Sequence, residues 1–211
     1  MTKRLVTLST NCIKSITAAL TIAIAGYCNL LCDYRWIGAA LFSFGLIYVC
    51  KYKLNLFTGM AGYITLRKTP SFIVSVAVNL VSAFAFGRVL SCNHKAVEFA
   101  STLIVAKIDN NIVTTLISSI MCGVLIFLAV DYYKKFSSII GIVFAIPIFV
   151  LCGFDHAVAD AFYIGIAGEI NEIPVLFLFL LTVVIGNVAG STLTRLLLYL
   201  SEKGQNESRN V

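Results

Sequence analysis

Charged residues are scarce in this chain of 211 amino acids. Asp, Glu, Lys and Arg make up 12% of the residues, whereas hydrophobic types make up 59% and the mean hydropathy is +0.94. Soluble domains carry about 25% charged residues, and half that supply cannot cover the surface of a soluble protein of this length. The composition therefore excludes a soluble domain and indicates a membrane protein.

The motifs of common enzymes and metal sites are also missing. The chain has no G-x-S-x-G, H-E-x-x-H or Walker loop, and its two histidines, His94 and His156, lie 62 positions apart. The seven cysteines form no C-x-x-C pair, which argues against a zinc site or a disulfide framework. The net charge of +6 comes from short basic pairs between apolar runs, not from a basic patch with interleaved aromatic residues. We therefore expect no enzyme, no metal, no cofactor and no nucleic-acid partner.

Long apolar runs dominate what is present. A helix that crosses a membrane needs about 20 mostly apolar residues. Six runs meet this condition, at residues 13–32, 36–66, 70–92, 111–130, 138–167 and 173–200. The sequence thus predicts an all-α membrane protein, with residues 1–211 forming a single channel domain of six transmembrane helices.

The distribution of basic residues predicts the orientation of these spans. Ten basic residues fall on the side of the N-terminus, namely Lys3, Arg4, Lys14, Arg67, Lys68, Lys134, Lys135, Arg195, Lys203 and Arg209. Four fall on the opposite side, namely Arg35, Arg88, Lys95 and Lys107. Because cytoplasmic loops carry the excess of Lys and Arg, we predict a multi-pass protein of the inner (plasma) membrane with both termini in the cytoplasm.

The second and fifth runs are too long for one straight helix each. They are interrupted at residues 51–55 and 152–156, which are equivalent positions if the six spans form two halves. Asn79 in the third span also has a counterpart, Asn187, in the sixth. Three spans per half give the halves opposite orientations, and inverted repeats with broken helices mark transport pathways near the bilayer midplane. We predict two inverted three-helix repeats with broken second and fifth helices.

Three ionisable residues, Asp155, His156 and Asp160, lie at the second interruption. Each costs about 2.5–3.5 kcal/mol at the centre of a bilayer on insertion scales, so they must face a cavity or one another. One interpretation is a buried polar network in which Asp160 bonds His156 across one helical turn. The other is that His156 exchanges protons with a passing solute, because histidine titrates near neutral pH.

The first interruption is followed by the tetrapeptide L-F-T-G. Thr58 offers a hydroxyl group inside the membrane, while Leu56 and Phe57 are large enough to close a pore. A tetrapeptide of this kind occurs by chance in many apolar helices. The tetrapeptide supports a transport pathway here because the second interruption carries a histidine.

Three lysines lie near the predicted pathway. Lys107 precedes the fourth span, and a lysine in such a loop is ordinarily a solvated charge. Lys51 and Lys53 flank the first interruption. They either extend to the cytoplasmic interface or give the inner mouth of a pore a positive potential that gathers anions.

Several stretches of the chain resemble the formate/nitrite transporter family. Residues 38–60, GAALFSFGLIYVCKYKLNLFTGM, resemble its second span and the loop motif L-F-T-G or L-F-T-S. Residues 146–164, IPIFVLCGFDHAVADAFYI, resemble its fifth span, whose signature is G-F-E-H followed by A-N. IGNVAGS resembles the I-G-N-x-x-G of the sixth span, FLAVDYY resembles the end of the fourth, and Lys107 stands where the family has a lysine.

The resemblance implies an aquaporin-like six-helix protomer that assembles as a homopentamer with one pore in each protomer. It also implies two hydrophobic constrictions around a central vestibule. The outer constriction would use Phe42 or Phe57, and the inner one would use Leu46, Leu56 and Phe149. His156 and Thr58 would contact each other and the solute between them, and Lys107 would raise the positive potential of the outer vestibule.

The chain also departs from the family pattern. Asp155 replaces a glutamate, Asp160 replaces the asparagine four residues after the histidine, and Gly123 occupies a position where asparagine is common. The function implied is a channel or transporter for small monovalent anions or their conjugate acids, of the formate, nitrite and hydrosulfide class, linked to protons through His156. Two alternatives stay open, a neutral-solute channel and a non-transporting structural or regulatory homologue.

Overall fold

The computed structural model describes residues 3–168 and 173–209, and every regular element among them is helical. Nine α-helices follow in chain order: α1 Lys3–Leu31, α2 Arg35–Lys51, α3 Phe57–Met60, α4 Thr69–Leu90, α5 His94–Ile108, α6 Ile112–Phe136, α7 Ile140–Leu151, α8 Ala157–Ala167 and α9 Ile173–Arg209. Two 3₁₀ turns, Ala61–Tyr63 and Leu66–Lys68, connect α3 to α4.

Four stretches of helix are long and apolar enough to cross a membrane: Val6–Leu31, Leu66–Leu90, Ile112–Phe136 and Ile173–Gly204. They correspond to the first, third, fourth and sixth predicted spans. The helix α1 begins at Lys3, ten residues before the predicted start of the first span at residue 13. The first residues of α1 are polar, so a search for apolar runs does not detect them.

The second and fifth predicted spans each contain two helices in the structure. α2 has 17 residues, α7 has 12 and α8 has 11. Residues 52–56 separate α2 from α3, and residues 152–156 separate α7 from α8. None of these helices reaches the length of about 20 residues that a single crossing requires.

α2 and α7 end in the same backbone motif. The N–H of Leu54 donates to Val49 O at 2.9 Å, and the N–H of Phe154 donates to Phe149 O at 3.1 Å. In both cases the preceding residue has a left-handed backbone, with φ of 51° at Lys53 and 71° at Gly153. This six-to-one bond after a left-handed residue is the Schellman helix terminator. It ends both helices inside an apolar segment and pairs the carbonyl groups of Val49, Cys50, Phe149 and Val150.

α5 was not predicted, since residues 93–110 were interpreted as a loop. Asn93 caps this helix, because its Oδ1 accepts a hydrogen bond from the N–H of Ala96 at 3.2 Å. The 15 residues of α5 are too few and too rich in charge to register as a membrane span. The helix packs against α8 through its buried face of Ala96, Ala100 and Ile104.

Helix pairing follows the same pattern before and after α5. α1 packs against α2 and α4, and α6 packs in the same way against α7 and α9. The crossing of α6 and α9 is very close, because a Cβ added at Gly123 or Gly190 would collide with the backbone of the other helix, at Asn187 and Ile120 respectively. Glycine at position 123 therefore has a packing reason here, since any side chain would push the two helices apart.

Candidate transport site

The two interruptions meet at a buried hydrogen bond between Thr58 and His156. Thr58 Oγ1 lies 3.1 Å from His156 Nε2, and both side chains are buried. The Nδ1 of His156 accepts a hydrogen bond from the N–H of Ala159 at 3.3 Å, so the imidazole caps the first turn of α8. An acceptor Nδ1 in a neutral ring leaves the proton on Nε2, where it faces Thr58.

Two asparagines hold the interruptions in place. Asn79 on α4 accepts from the N–H of Phe57 at 2.9 Å and donates to the carbonyl groups of Ser15 and Asn55 at 2.8 and 3.0 Å. These bonds satisfy backbone groups that the break in the helix leaves without partners.

Asn187 on α9 makes the equivalent bonds at the second interruption. It accepts from the N–H of Ala157 at 3.1 Å and donates to the carbonyl groups of Ser119 and Asp155 at 2.9 and 2.8 Å. The sequence showed the resemblance between Asn79 and Asn187 but not this role.

Lys107 lies at the centre of an ion-pair cluster. Its Nζ is 2.7 Å from Asp155 Oδ1, 2.8 Å from Asp160 Oδ1 and 3.4 Å from Phe154 O. The lysine side chain is 13% exposed, so the interpretation of Lys107 as a solvated loop charge was wrong. The suggested side-chain bond between Asp160 and His156 is also absent from the described contacts, because the Asp160 carboxylate turns to Lys107 instead.

One cavity of about 890 Å³, here the Lys107 cavity, opens beside this cluster. Phe149, Asp160 and Tyr163 are part of its wall. The ring of Phe149 stacks edge-on against Phe42 with centroids 5.4 Å apart, and its centroid lies 5.9 Å from that of His156. Phe149 was expected to join Leu46 and Leu56 in the inner constriction; the last turn of α7 places it in the wall of the Lys107 cavity, which Leu46 and Leu56 do not line.

A second cavity of about 440 Å³, here the Lys53 cavity, lies beyond Leu56. Lys53 and Lys134 line it, whereas Lys51 does not and instead has its Nζ 5.6 Å from the ring centroid of Tyr133. The structure therefore separates the two lysines that flank the first interruption, and only Lys53 faces a cavity.

Leu46 and Phe57 are fully buried and line neither cavity. The ring of Phe57 packs against Phe72 of α4, with the centroids 6.2 Å apart. Phe57 thus contacts the helix that carries Asn79, while Leu56, its neighbour in the chain, faces the Lys53 cavity.

Other polar contacts escaped the sequence analysis. Tyr63 OH donates to Asp131 Oδ1 at 2.6 Å, and Lys135 bridges Asp131 and Glu202 at 3.1 and 2.8 Å. These residues tie the connection after α3 to α6 and α9 on the side of the Lys53 cavity. Tyr63 and Glu202 lie 68 and 67 positions from their partners, so no local pattern reveals these two contacts, whereas Asp131 and Lys135 have the local i,i+4 spacing of a helix.

The family model described as "Formate/nitrite transporter" matches residues 1–201. The chain belongs to the formate/nitrite transporter family. As a member of this family it is a membrane transport protein and not an enzyme, as the absence of enzyme motifs had predicted.

A curated relative and two solved structures are similar to this formate/nitrite transporter family member. The "Uncharacterized transporter YrhG" of Bacillus subtilis (strain 168) is 32% identical over 151 residues, which cover 62% of this chain and 57% of YrhG. The structure titled "Pentameric formate channel with formate bound" aligns with a TM-score of 0.79 at 18% identity, covering 93% of this chain and 98% of that one. A second structure, "FNT family ion channel", aligns with a TM-score of 0.78 at 18% identity over 94% and 91% of the two chains.

Proposed function

We propose that this protein is a channel for small monovalent anions or their conjugate acids, of the formate, nitrite and hydrosulfide class, and that transport is proton-linked through His156. The hydrogen bond between Thr58 and His156 carries the proposal. Phe154 and Ala159, on either side of His156, line the Lys107 cavity, while Leu56 and Gly59, on either side of Thr58, line the Lys53 cavity. The bond therefore lies where the two cavities approach each other.

The residues that would close the path between the cavities are Phe42, Leu46, Leu56, Phe57 and Phe149. All five are apolar and less than one tenth exposed. Moving a bare carboxylate into such surroundings costs several kcal/mol even after relaxation. Protonating an acid with a pKa near 4 at pH 7 costs only about 4 kcal/mol, so the solute crosses more readily as a neutral acid.

Thr58 and His156 have the chemistry to accompany that step. The Thr58 hydroxyl can donate to the carboxylate or accept from the acid, and the imidazole can give and regain a proton. Lys107 and Asp160 line the Lys107 cavity, and Asp155 pairs with Lys107 at 2.7 Å.

In this proposal residues 1–211 form one domain of six spans in two inverted three-helix halves, with breaks in the second and fifth spans. The matching helix terminators before residues 54 and 154 support it. So does the matching pair Asn79 and Asn187. The protein would lie in the inner membrane with both termini in the cytoplasm, in agreement with the excess of basic residues on that side.

The protomers would assemble as a homopentamer with one pore in each. The structure titled "Pentameric formate channel with formate bound" has the same protomer fold and supports this assembly. Large apolar side chains on the outside of the protomer, such as Val81, Phe144 and Phe177, supply faces for lipid or for neighbouring copies.

A flux assay in proteoliposomes tests the function. Wild-type protein should carry formate, nitrite or hydrosulfide faster than lactate or water, and His156→Asn should remove the pH dependence of that flux. The exposed His94 provides the matched control, because His94→Asn makes the same change outside the site. Anion uptake by His156→Asn that equals wild-type uptake at every pH from about 5 to 8 would remove His156 from the mechanism.

A further inference from the structure

Asp160 carries a buried carboxylate oxygen that the protein leaves without a partner. The residue is 1% exposed, and its Oδ1 is held by Lys107. Its Oδ2 has no hydrogen-bond partner among the residues that the structure describes. Asp160 is also part of the wall of the Lys107 cavity. A buried polar atom without a partner costs free energy. A hydrogen-bond donor that reaches this oxygen from the cavity would therefore be stabilised there.

Lys107 has no hydrogen left with which to bind an arriving anion. Its ammonium group has three N–H donors, and three acceptors already surround it: Phe154 O, Asp155 Oδ1 and Asp160 Oδ1. Acceptors of the protein therefore engage all three N–H groups of Lys107. One ammonium faces two carboxylates, which leaves the cluster with one negative charge in excess.

The other basic residues of the cavity do not reverse this excess. Lys95 pairs with Asp33, and Arg35 donates to the carbonyl of Leu151 at 2.8 Å. The remaining titratable side chains near Asp160 are Cys122 of α6, and His156 and Tyr163 beside it in the chain. None of these three is a fixed positive charge.

We propose that Asp160 determines which form of the solute passes, because its free oxygen makes the Lys107 cavity exclude bare anions and accept the neutral conjugate acid. This inference rests on the proposed transport function and specifies its substrate. The O–H or S–H of a small neutral acid donates to Asp160 Oδ2 and satisfies it, whereas an anion has no hydrogen to donate and is repelled. Asp160 Oδ2 thus distinguishes the two forms of the solute in two ways. Only the neutral acid can donate a hydrogen bond to it, and only the anion is repelled by its charge.

The test compares formate transport by wild type and Asp160→Asn in proteoliposomes, with an imposed membrane potential and measured current. Wild type should take up formate without net current, and the uptake should rise as the pH falls from 7 to 5. In Asp160→Asn the side chain keeps the oxygen for Lys107, and the excess charge is gone. A potential-driven formate current at pH 7 should then appear, at least about tenfold above wild type, because a unit charge a few ångströms away is removed from a poorly solvated site.

Asp109→Asn is the matched control. Asp109 is exposed at the end of α5, two residues after Lys107, and lies outside the cavity wall. The same loss of charge there should leave both uptake and current unchanged, because water and salt screen it.

The outcomes separate this inference from the proposed function. A formate current in wild type at pH 7 would overturn the inference without any variant, even if Asp160→Asn failed to assemble. An Asp160→Asn current within twofold of wild type would overturn it as well. If wild type carried no formate above empty liposomes at any pH, the proposed function itself would fall, and this inference with it.

Discussion

Asn79 and Asn187 make the same three hydrogen bonds at the two interruptions. Each accepts one N–H from the start of a short helix and donates to two carbonyl groups, one on a neighbouring helix and one in the adjoining interruption. A single amide side chain thereby satisfies the backbone on both sides of a break. This arrangement explains how polar backbone persists inside an apolar protein.

Replacing either asparagine should therefore destabilise the protein by a similar amount. Asn79→Ala and Asn187→Ala each leave one N–H and two carbonyl groups buried without partners, and each such group costs about 1–3 kcal/mol. We expect both variants to lower the melting temperature of the detergent-solubilised protein by several degrees. Asn110→Ala, at an exposed position, should leave it unchanged. A melting temperature of Asn187→Ala equal to that of wild type would contradict the role assigned to this side chain.

The crossing of α6 and α9 should not tolerate a side chain at its centre. Gly123→Ala and Gly190→Ala each place a methyl group against the backbone of the opposite helix, and overpacking of this kind costs about 1–3 kcal/mol. Both variants should lose thermal stability. Gly204→Ala makes the same change where no atom lies within 4 Å, and it should be neutral.

Equal stability of Gly123→Ala and Gly204→Ala would mean that the two long helices have room to separate. The departure from asparagine at position 123 would then lose its explanation in packing.

Residues close in sequence were easier to interpret than residues brought together by the fold. The apolar runs predicted the long helices, and the family motif placed Thr58 and His156 in contact, at 3.1 Å. The burial of Lys107 was missed because its carboxylate partners lie 48 and 53 positions away. Phe149 lines the Lys107 cavity because of the direction in which the last turn of α7, ending at Leu151, points its side chain. The hydropathy of the sequence does not predict this direction.

Assembly should be pentameric in solution. Exposed apolar side chains on α4, α7 and α9 supply faces for lipid or for neighbouring copies, and the solved structure titled "Pentameric formate channel with formate bound" has the same protomer fold. Native mass spectrometry of the solubilised protein should show five copies. A spectrum with only monomers and dimers would count strongly against the proposed assembly.

Lys53 and Lys51 should differ in their effect on transport, although only one residue separates them. Lys53 lines its cavity together with Lys134, whereas the Nζ of Lys51 lies over the ring of Tyr133. Two unit charges about 8 Å apart interact by roughly 2 kcal/mol at an effective dielectric constant near 20. A lysine on the cavity wall therefore concentrates anions about tenfold or more, and a lysine outside the wall has less effect.

Lys53→Asn removes this charge with little strain, because asparagine tolerates the left-handed backbone that Lys53 adopts, with φ of 51°. At low ionic strength, formate flux through Lys53→Asn should fall severalfold, and the loss should shrink in high salt because salt screens the potential. Lys51→Gln removes a charge of the same sign and should change the flux less. Flux at low pH, where more of the formate is already neutral in solution and a positive charge no longer gathers it, should be nearly the same in both variants and in wild type. If Lys53→Asn matched wild type at low ionic strength, the lysine would serve only to end α2, and the anion would enter this cavity without help from its charge.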